Sequence, residues 1–307
     1  MNKCIGCGSL ADNTLCERCF RIRNYNEYKK VDSNYKDFLN NLDKINENDL
    51  VVLVVDLMNI PESFELIKNK IKTRVILALN KFDLMPTNNV DRYKTYFDKY
   101  KINVIDTICI SSKNNYNIDD LYDCIKRNIT NKVYFIGYTN SGKSSLINKL
   151  IYNYSNNDTK ITTSYLANTT LDLIEIKLDN FLLIDTPGII NNNSTNNLND
   201  NILKKLSKSK RIKPISYQAK GKQYIFIEDI IKITVDSNDI IIYVPSNIIV
   251  SRYYKDRSFN SIKDYNFKVD NVSDIVIPNI GFIKVKSGNI KLSLNIDIEI
   301  FMRDPLI

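Results

Sequence analysis

From residue 49 onward, short apolar runs rich in β-branched residues alternate with longer stretches in which apolar residues recur at helical spacing. The apolar runs are 49–57, 74–80, 102–110 and 131–137, and the amphipathic stretches between them are 62–71, 87–100 and 117–129. Near-continuous apolar strands separated by helices are typical of a mostly parallel sheet with both faces covered. Ligands bind such a sheet at the carboxyl ends of its strands. The pattern therefore predicts an α/β domain whose functional residues follow its strands.

The pattern changes near residue 200, where apolar and polar residues begin to alternate in the manner of strands. Three such segments are 223–235, 239–245 and 282–288. Strand after strand without intervening helices indicates a β-rich domain. We therefore predict three parts: a cysteine-rich module with a basic extension at 1–48, the α/β domain at 49–200, and a C-terminal β-rich domain at 201–307.

The fourth apolar run leads into a glycine-containing loop that matches G-x-x-x-x-G-K-S in full, from Gly137 to Ser144. A strand precedes the loop and a helical pattern follows it, which is the context of a phosphate-binding P-loop. Backbone amides and the helix N-terminus cradle phosphates, while Lys143 reaches the β- and γ-phosphates and Ser144 binds Mg²⁺. The residues expected around the phosphates are Gly137, Asn140, Ser141, Gly142, Lys143, Ser144 and Ser145.

Further along, the run 181–185 ends in Asp-Thr-Pro-Gly. Asp185 is placed to hold Mg²⁺, and the amide of Gly188 to meet the γ-phosphate. Thr169 and Thr170 lie between the two motifs and are candidates for a switch threonine that closes over Mg²⁺. We favour Thr170, because it abuts the next strand. Segments 172–178 and 181–185 are expected to form a hairpin with a two-residue turn.

Two other strand ends carry residues that recognise guanine, and both precede the phosphate loop. Asn80-Lys81-Phe82-Asp83 fits the motif N-K-x-D. In this motif the Asp83 carboxylate is expected to accept two hydrogen bonds from the base. Asn80 is expected to brace the base and the phosphate loop, and the stem of Lys81 to cover the ring. Ser111, Ser112 and Lys113 fit the serine–x–lysine loop that folds over guanine. Each motif alone is weak evidence, but four such motifs at four strand ends together are strong evidence for a guanine-nucleotide site. Their order predicts a circularly permuted P-loop GTPase domain.

The first 19 residues contain two Cys-x-x-Cys pairs, Cys4/Cys7 and Cys16/Cys19, separated by eight residues. Four thiolates at this spacing predict a structural Zn²⁺ site. A redox pair or a disulfide is the alternative, which a cytosolic setting disfavours. Basic and aromatic residues interleave over 18–30, either to bind nucleic acid or to pack on the cysteine module.

Composition narrows the chemistry further. The chain has no histidine, which excludes histidine general bases and Ser-His or Cys-His nucleophile pairs. Its net charge of +8 suggests a polyanionic partner or a biased genome. The charge is concentrated in a basic run without acids, which we interpret as an RNA contact rather than a solvated linker: Lys204, Lys205, Lys208, Lys210, Arg211, Lys213, Lys220 and Lys222. No apolar run is long enough for a bilayer and no secretion signal is evident, so we expect a cytoplasmic protein without membrane contact.

With these motifs, the chain resembles the YqeH-type circularly permuted GTPases of ribosome assembly. The similarity covers CIGCG and CERCFRIRNYNEY in the cysteine-rich module, and NKFDL, SSK, GYTNSGKSSLIN, TTLDLIEI and DTPG in the α/β domain. It continues with RIKPISYQAKGKQYIFIEDI in the C-terminal domain. It implies GTP hydrolysis to GDP, Mg²⁺, Zn²⁺ in the head, and association with the small (30S) ribosomal subunit and its rRNA. The chain departs from the family in a shorter loop between the cysteine pairs, in Asn24 for a histidine and in Asn168 for a glycine.

The resemblance also bears on the reaction. Ile189 follows the DTPG motif, where many GTPases place a water-orienting glutamine, so slow intrinsic hydrolysis is expected. In related GTPases an asparagine at the position of Asn140 holds K⁺; capping of the loop is the alternative. The expected catalytic residues are Lys143, Thr170, Gly188 and Asn140. We expect a monomer that contacts rRNA and ribosomal proteins; the alternatives are a GTP-gated interaction module and a GTPase directed at tRNA or a small molecule.

Overall fold

A computed structural model of the 307-residue chain describes residues 2–3, 10–11, 42–61, 64, 70–129, 132–154, 163–165, 173–178, 181–186, 188 and 200–307. The chain divides into two compact units. The first contains Met1–Asp83 and Phe97–Asn191, and the second contains Leu84–Tyr96 and Asn192–Ile307.

The first unit is built on a seven-stranded sheet. A separate pair, β1 (Asn2–Lys3) and β2 (Leu10–Ala11), is antiparallel. The strands of the sheet are β3 (Leu50–Asp56), β4 (Arg74–Asn80), β5 (Val104–Cys109), β6 (Lys132–Gly137), β7 (Thr163–Tyr165), β8 (Ile174–Leu178) and β9 (Phe181–Asp185). Their order is β5-β4-β3-β6-β9-β8-β7. Strands β5, β4, β3, β6 and β9 are mutually parallel, whereas β8 is antiparallel to its neighbours β9 and β7. The mostly parallel sheet and the β8–β9 hairpin are as expected.

A short 3-10 helix (Phe82–Leu84) follows β4, and most of helix α1 (Val90–Asp98) belongs to a segment that groups with the second unit. Helices α2 (Ile118–Asn128) and α3 (Lys143–Tyr154) connect strands of the sheet and pack on it. Every residue of β3 is buried. Leu50, Val52 and Val54 pack in one core cluster with residues of α2 and α3, and Val51 and Leu53 are buried on the opposite side. Burial on both faces explains why the β3 sequence is continuously apolar rather than alternating.

The sheet order explains how early and late motifs can meet. β4 and β6 flank β3, and β9 lies beside β6. Because these strands are parallel, their carboxyl ends fall at one edge of the sheet. Asn80, Gly137 and Asp185 are the last residues of β4, β6 and β9. Residues that are far apart along the chain are therefore neighbours at this edge, whatever the order of their strands in the sequence.

The second unit contains helix α4 (Asp200–Ser207) and two five-stranded antiparallel sheets. The strands are β10 (Ile215–Gln218), β11 (Lys222–Ile227), β12 (Ile231–Asp236), β13 (Asp239–Tyr243), β14 (Val250–Tyr253), β15 (Lys263–Val269), β16 (Ser273–Ile277), β17 (Gly281–Val285), β18 (Gly288–Leu294) and β19 (Phe301–Arg303). One sheet has the order β10-β13-β17-β16-β19, and the other has the order β14-β11-β12-β18-β15. Ile, Val and Leu side chains from both sheets form one buried cluster, which includes Ile225, Ile233, Ile242, Ile283 and Leu292.

The segment Leu84–Tyr96 groups with the second unit, although the residues on either side of it belong to the first. The backbone N–H of Ile212 donates to the carbonyl of Leu84 at 2.8 Å. The guanidinium of Arg211 donates to the carbonyl of Met85 at 3.0 Å and to Oδ1 of Asn88 at 2.9 Å. These bonds tie the segment to the residues that precede β10. Because Leu84 follows Asp83 directly, the chain enters the second unit immediately after the N-K-x-D motif.

The basic run is not uniformly solvated. Lys205 forms an ion pair with Glu228 at 2.7 Å, and Arg211 holds the segment just described. Lys208, Lys210, Lys213, Lys220 and Lys222 are exposed. Two of the eight cations therefore serve the fold of the second unit. No helix in the described part of the chain is long and apolar enough to cross a membrane.

Candidate nucleotide-binding site

Asn80 connects three loops at the carboxyl edge of the sheet. Its side-chain amide donates to the carbonyl of Ser141 at 2.8 Å and to the hydroxyl of Ser112 at 3.1 Å. Its amide oxygen accepts a bond from the backbone N–H of Ser112 at 3.0 Å. Asn80 is fully buried, so each of these bonds is protected from water. The N-K-x-D loop, the S-S-K loop and the phosphate loop are thereby held in one arrangement.

The S-S-K loop is a tight turn that packs on the N-K-x-D loop. Backbone bonds in both directions link Ser111 and Tyr116, and the hydroxyl of Ser111 accepts a bond from the N–H of Asn114 at 3.1 Å. The rings of Phe82 and Tyr116 stack with centroids 5.9 Å apart. Ser111 and Ser112 are buried and Lys113 is exposed. Both loops expected at the base therefore lie side by side.

Asp83 and Lys81 occupy different surroundings within the N-K-x-D motif. Asp83 lies in the 3-10 helix Phe82–Leu84 with a partly exposed side chain. Lys81 has a left-handed backbone (φ 62°), and its ammonium group forms an ion pair with Asp56 at 2.6 Å. The other oxygen of Asp56 accepts a bond from the N–H of Met58 at 3.0 Å.

Asp56 is the site residue that the motifs did not identify. It is the last residue of β3 and its carboxylate is buried. The signal that could have found it is an acid at the end of an otherwise apolar strand, next to the strand that ends in N-K-x-D. We expect its ion pair to orient Lys81, whose stem was predicted to cover the base.

The phosphate loop depends on two left-handed residues, Asn140 (φ 65°) and Gly142 (φ 86°). A side chain at Gly142 would collide with the amide of Asn80, so the close approach of these two loops requires glycine. A Cβ on Gly137 would lie 2.7 Å from the hydroxyl of Ser141 and 2.8 Å from the carbonyl of Val54. The loop therefore uses glycine at both positions because no space exists for a side chain.

Helix α3 begins at Lys143, directly after this loop. The N-terminus of a helix attracts anions because its first amides have no partner within the helix. Ser144 is half-buried and Ser145 is exposed at this end of the helix. The hydroxyl of Ser141 is buried and has no hydrogen-bond partner in the described part of the chain. Unpartnered donors and a positive helix end fit the phosphates of a nucleotide.

Lys143 and Asp185 form a buried ion pair beneath the phosphate loop. Lys143 also donates to the carbonyl of Thr186 at 2.5 Å. Thr186 in turn donates through its hydroxyl to the carbonyl of Phe135 at 2.8 Å. The motif that ends β9 is thus fastened to β6. The carboxylate of Asp185 and the hydroxyl of Ser144 supply the oxygen ligands that Mg²⁺ prefers, so these residues fit the metal.

The remaining predicted residues fall in two groups. Gly188 is described and buried. Thr169, Thr170 and Ile189 lie outside the described residues, as do the four cysteines Cys4, Cys7, Cys16 and Cys19. The structure thus brings together the base and phosphate motifs, and the switch and zinc predictions stay predictions.

Comparison with known proteins shows similarity over nearly the whole chain. The protein YqeH of Bacillus subtilis (strain 168), itself described as uncharacterized, is 30% identical over 335 aligned residues, which cover 96% of this chain and 92% of the relative. Residues 132–250 match a family described as 50S ribosome-binding GTPase.

Similarity to other GTPases covers part of the chain. GTPase Der of Mycoplasma capricolum is 31% identical over 163 residues, which cover 47% of this chain and 35% of that protein. Among solved structures, GNP-bound YlqF from T. maritima is 21% identical and covers 48% of this chain and 56% of that one, with a TM-score of 0.30.

Proposed function

Because this chain belongs to the YqeH family and is a GTP-hydrolysing enzyme, we propose that it is an assembly factor of the small ribosomal subunit whose bound nucleotide sets its affinity for rRNA. The nucleotide-binding part of this proposal is supported by the hydrogen bonds of Asn80 to Ser112 and Ser141. It joins the base motif to the phosphate loop across 61 residues of chain. The base and the phosphates of one GTP would therefore be bound by a single, connected set of residues.

The base would be recognised at the ends of β4 and β5. The carboxylate of Asp83 can accept two hydrogen bonds from the guanine N1 and N2 donors, and adenine offers no such pair. The Ser111–Lys113 loop would close over the base, with Asn80 fixing its distance from the phosphate loop through Ser112 and Ser141. This arrangement would favour GTP and GDP over adenine nucleotides.

The phosphates would occupy the loop from Gly137 to Ser145. In the bound state Lys143 would exchange its bond to Asp185 for the β- and γ-phosphates, which releases the carboxylate toward the metal. Ser144, Asp185 and Thr170 would hold Mg²⁺, and the Gly188 amide would face the γ-phosphate. Bound Mg²⁺ supplies electrostatic stabilisation of the transferring phosphoryl group.

Hydrolysis is proposed to be slow and stimulated by K⁺. The isoleucine side chain at position 189 cannot orient a water molecule by hydrogen bonding. Stabilisation of the developing charge is then the main remaining route to acceleration. Asn140 is held in a left-handed turn of the phosphate loop, from which its amide oxygen could serve as a K⁺ ligand.

The ribosomal part of the proposal rests on charge and on the family. The exposed lysines between residues 208 and 222 offer a cationic surface to rRNA phosphates. A Zn²⁺ module formed by the four cysteines would add a second basic segment, 18–30. The small subunit follows from the resemblance to YqeH-type GTPases, whereas the matched family model is described with the large subunit. We place this monomeric enzyme in the cytoplasm.

Sedimentation with purified subunits tests this function. The full chain is mixed with isolated 30S or 50S subunits, in the presence of GDP, GTP or a non-hydrolysable GTP analogue, and its pelleted fraction is measured. We expect binding to 30S that depends on the nucleotide. Binding to 30S irrespective of nucleotide would overturn the switch, preference for 50S would overturn the subunit assignment, and no binding to either would favour a GTP-gated module with another partner.

A further inference from the structure

A cavity of about 380 Å³ opens on one sheet of the second unit, over strands β10, β13 and β17. Its lining combines apolar and polar side chains, among them Ser216, Gln218, Ile241, Val272, Lys284 and Lys286. Sites for small organic groups typically have volumes of about 300–1,000 Å³, with mostly apolar walls and a few polar groups that set orientation. This cavity has that size and composition, and the nucleotide chemistry of the first unit does not use it.

Strand register places the polar lining on the outer face of the sheet. Ser216 lies opposite Ile241, and Ile241 lies opposite Lys284, which forms one row across three strands. Their neighbours Ile242 and Ile283 point to the other face and pack in the core of the unit. Because side chains alternate along a strand, Lys284 and Lys286 fall on the same side. The two ammonium groups therefore share the outer face with the apolar Ile241.

Lys284 is a half-buried cation that lies opposite Asp274 across β17 and β16. Burial lowers the pKa of Lys284; the carboxylate of Asp274 opposes this shift, and the positive charge of Arg92 adds to it. One oxygen of Asp274, Oδ2, accepts a bond from the N–H of Leu306 at 2.9 Å and lies 3.7 Å from the guanidinium of Arg303. The other oxygen, Oδ1, has no hydrogen-bond partner in the described part of the chain. Asp239 is the acid in the cavity lining. An anionic group next to Lys284 would offset the cost of burying its charge.

The chain on either side of β10 continues this positive surface. Lys213 precedes β10, and Lys220 and Lys222 follow it, and all three are exposed. Among the strands that the structure describes, β10 lies at the edge of its sheet and has a neighbouring strand on one side, β13. A polyanion that follows the basic run would therefore pass the mouth of the cavity.

We propose that the cavity holds one nucleotide of single-stranded RNA, with the flanking phosphates at Lys284 and Lys286 and the base against Ile241 and Val272. The side chains of Ser216 and Gln218 supply the hydrogen-bonding groups that face the base edge. Recognition of unpaired bases in pockets is the usual way in which proteins read RNA sequence. This inference rests on the proposed rRNA function and specifies where an unpaired RNA segment would be bound.

The test measures binding of a fluorescein-labelled, single-stranded RNA decamer of mixed sequence to the full chain by fluorescence anisotropy. The variant Lys284→Gln/Lys286→Gln is compared with Lys268→Gln/Lys291→Gln, which removes the same charge from the other sheet. We expect at least about tenfold weaker binding for the cavity variant alone, and a salt dependence reduced by about 1.4 in log–log slope for two lost phosphate contacts. GTP hydrolysis should be unchanged in both variants.

Further measurements distinguish a failure of the cavity proposal from a failure of the proposed rRNA binding. The exposed Lys286→Gln single variant should show a smaller loss in the same direction, and 4-thiouridine in the RNA should cross-link to residues 215–218 or 239–241. Equal affinity of the two double variants would overturn the cavity while leaving rRNA binding in place. If the unaltered chain binds no RNA, the proposed function fails as well. Competition by millimolar free UMP or AMP as effective as competition by RNA would assign the cavity to free nucleotides and contradict the proposal.

Discussion

The side-chain amide of Asn80 donates a hydrogen bond to the carbonyl of Ser141 at 2.8 Å, although 61 residues separate them. Asn80 belongs to the base motif, which comes first in this chain, and Ser141 belongs to the phosphate loop, which comes later. The contact needs only that β4 and β6 end at the same edge of a parallel sheet. Circular permutation leaves that arrangement intact.

Removal of the Asn80 amide should weaken both the fold and the nucleotide site. Asn80→Ala leaves the buried carbonyl of Ser141 and the N–H of Ser112 without these partners, at a cost of about 1–3 kcal/mol in the free energy of unfolding. Urea denaturation of the full chain measures it. Asn153→Ala, which removes an exposed amide bonded to Asn115, should cost under about 0.5 kcal/mol. Equal losses of unfolding free energy in the two variants would show that the hydrogen bonds of Asn80 do not stabilise the protein.

The buried pair Lys143–Asp185 should behave as a coupled unit in the nucleotide-free protein. Lys143→Met leaves the Asp185 carboxylate buried without its cation and should destabilise the chain by about 3 kcal/mol. Adding Asp185→Asn should restore part of that loss, and Lys149→Met on the same helix should be nearly neutral. Denaturation of the single and double variants gives the coupling free energy. A value near zero would mean that the two charges do not interact.

Hydrolysis should be faster in KCl than in NaCl at equal ionic strength, because a K⁺ held by Asn140 would stabilise charge on the transferring phosphoryl group. Asn140→Gly is the informative variant. Glycine accepts the left-handed backbone at this position while removing the side-chain amide. The variant should retain GDP binding and lose the difference between the two salts. Equal phosphate release in KCl and NaCl for the unaltered chain would remove the K⁺ proposal.

Alkaline pH should destabilise the first unit through Tyr134. Burial, together with the nearby carboxylates Asp49 and Glu175, raises the pKa of Tyr134 from 10.0 to about 12. Above pH 10 the unfolded chain therefore loses this proton more readily than the folded chain, so stability falls as the pH rises from 10 to 12.

The effect of Tyr134 is about 1–2 kcal/mol and should disappear in Tyr134→Phe. Stability measured against pH checks this, with Tyr152→Phe at an exposed position as the control. A Tyr134→Phe profile that falls as steeply as that of the unaltered chain would assign the alkaline loss to other groups.

Much of the first unit could be predicted because its signals are local. A strand buried on both faces must be apolar throughout, and a phosphate loop needs glycine where no side chain fits, as at Gly142. The β-rich second unit was likewise evident from alternation along strands such as β12. In each case the sequence pattern reflects a constraint that acts within a few residues.

Other features could not be predicted, because they depend on contacts between distant residues. Asp56 is one acid among many in the sequence, and only the adjacency of β3 and β4 brings it to Lys81. The basic run looked uniform, yet Lys205 pairs with Glu228 and Arg211 holds the segment after Leu84. Charged residues with structural partners and charged residues that face solvent are alike in a sequence.

We propose that the N-K-x-D motif, although it precedes the phosphate loop in the chain, recognises guanine in the same site that binds the phosphates. The Asp83→Asn variant tests this proposal. The measurement is the affinity of the variant and the unaltered chain for GDP and for XDP, with Asp91→Asn on α1 as the control. We expect Asp83→Asn to weaken GDP binding by at least about 1.4 kcal/mol, or tenfold, and to strengthen XDP binding, because the amide can donate to the xanthine oxygen. Unchanged preference for GDP over XDP would contradict it.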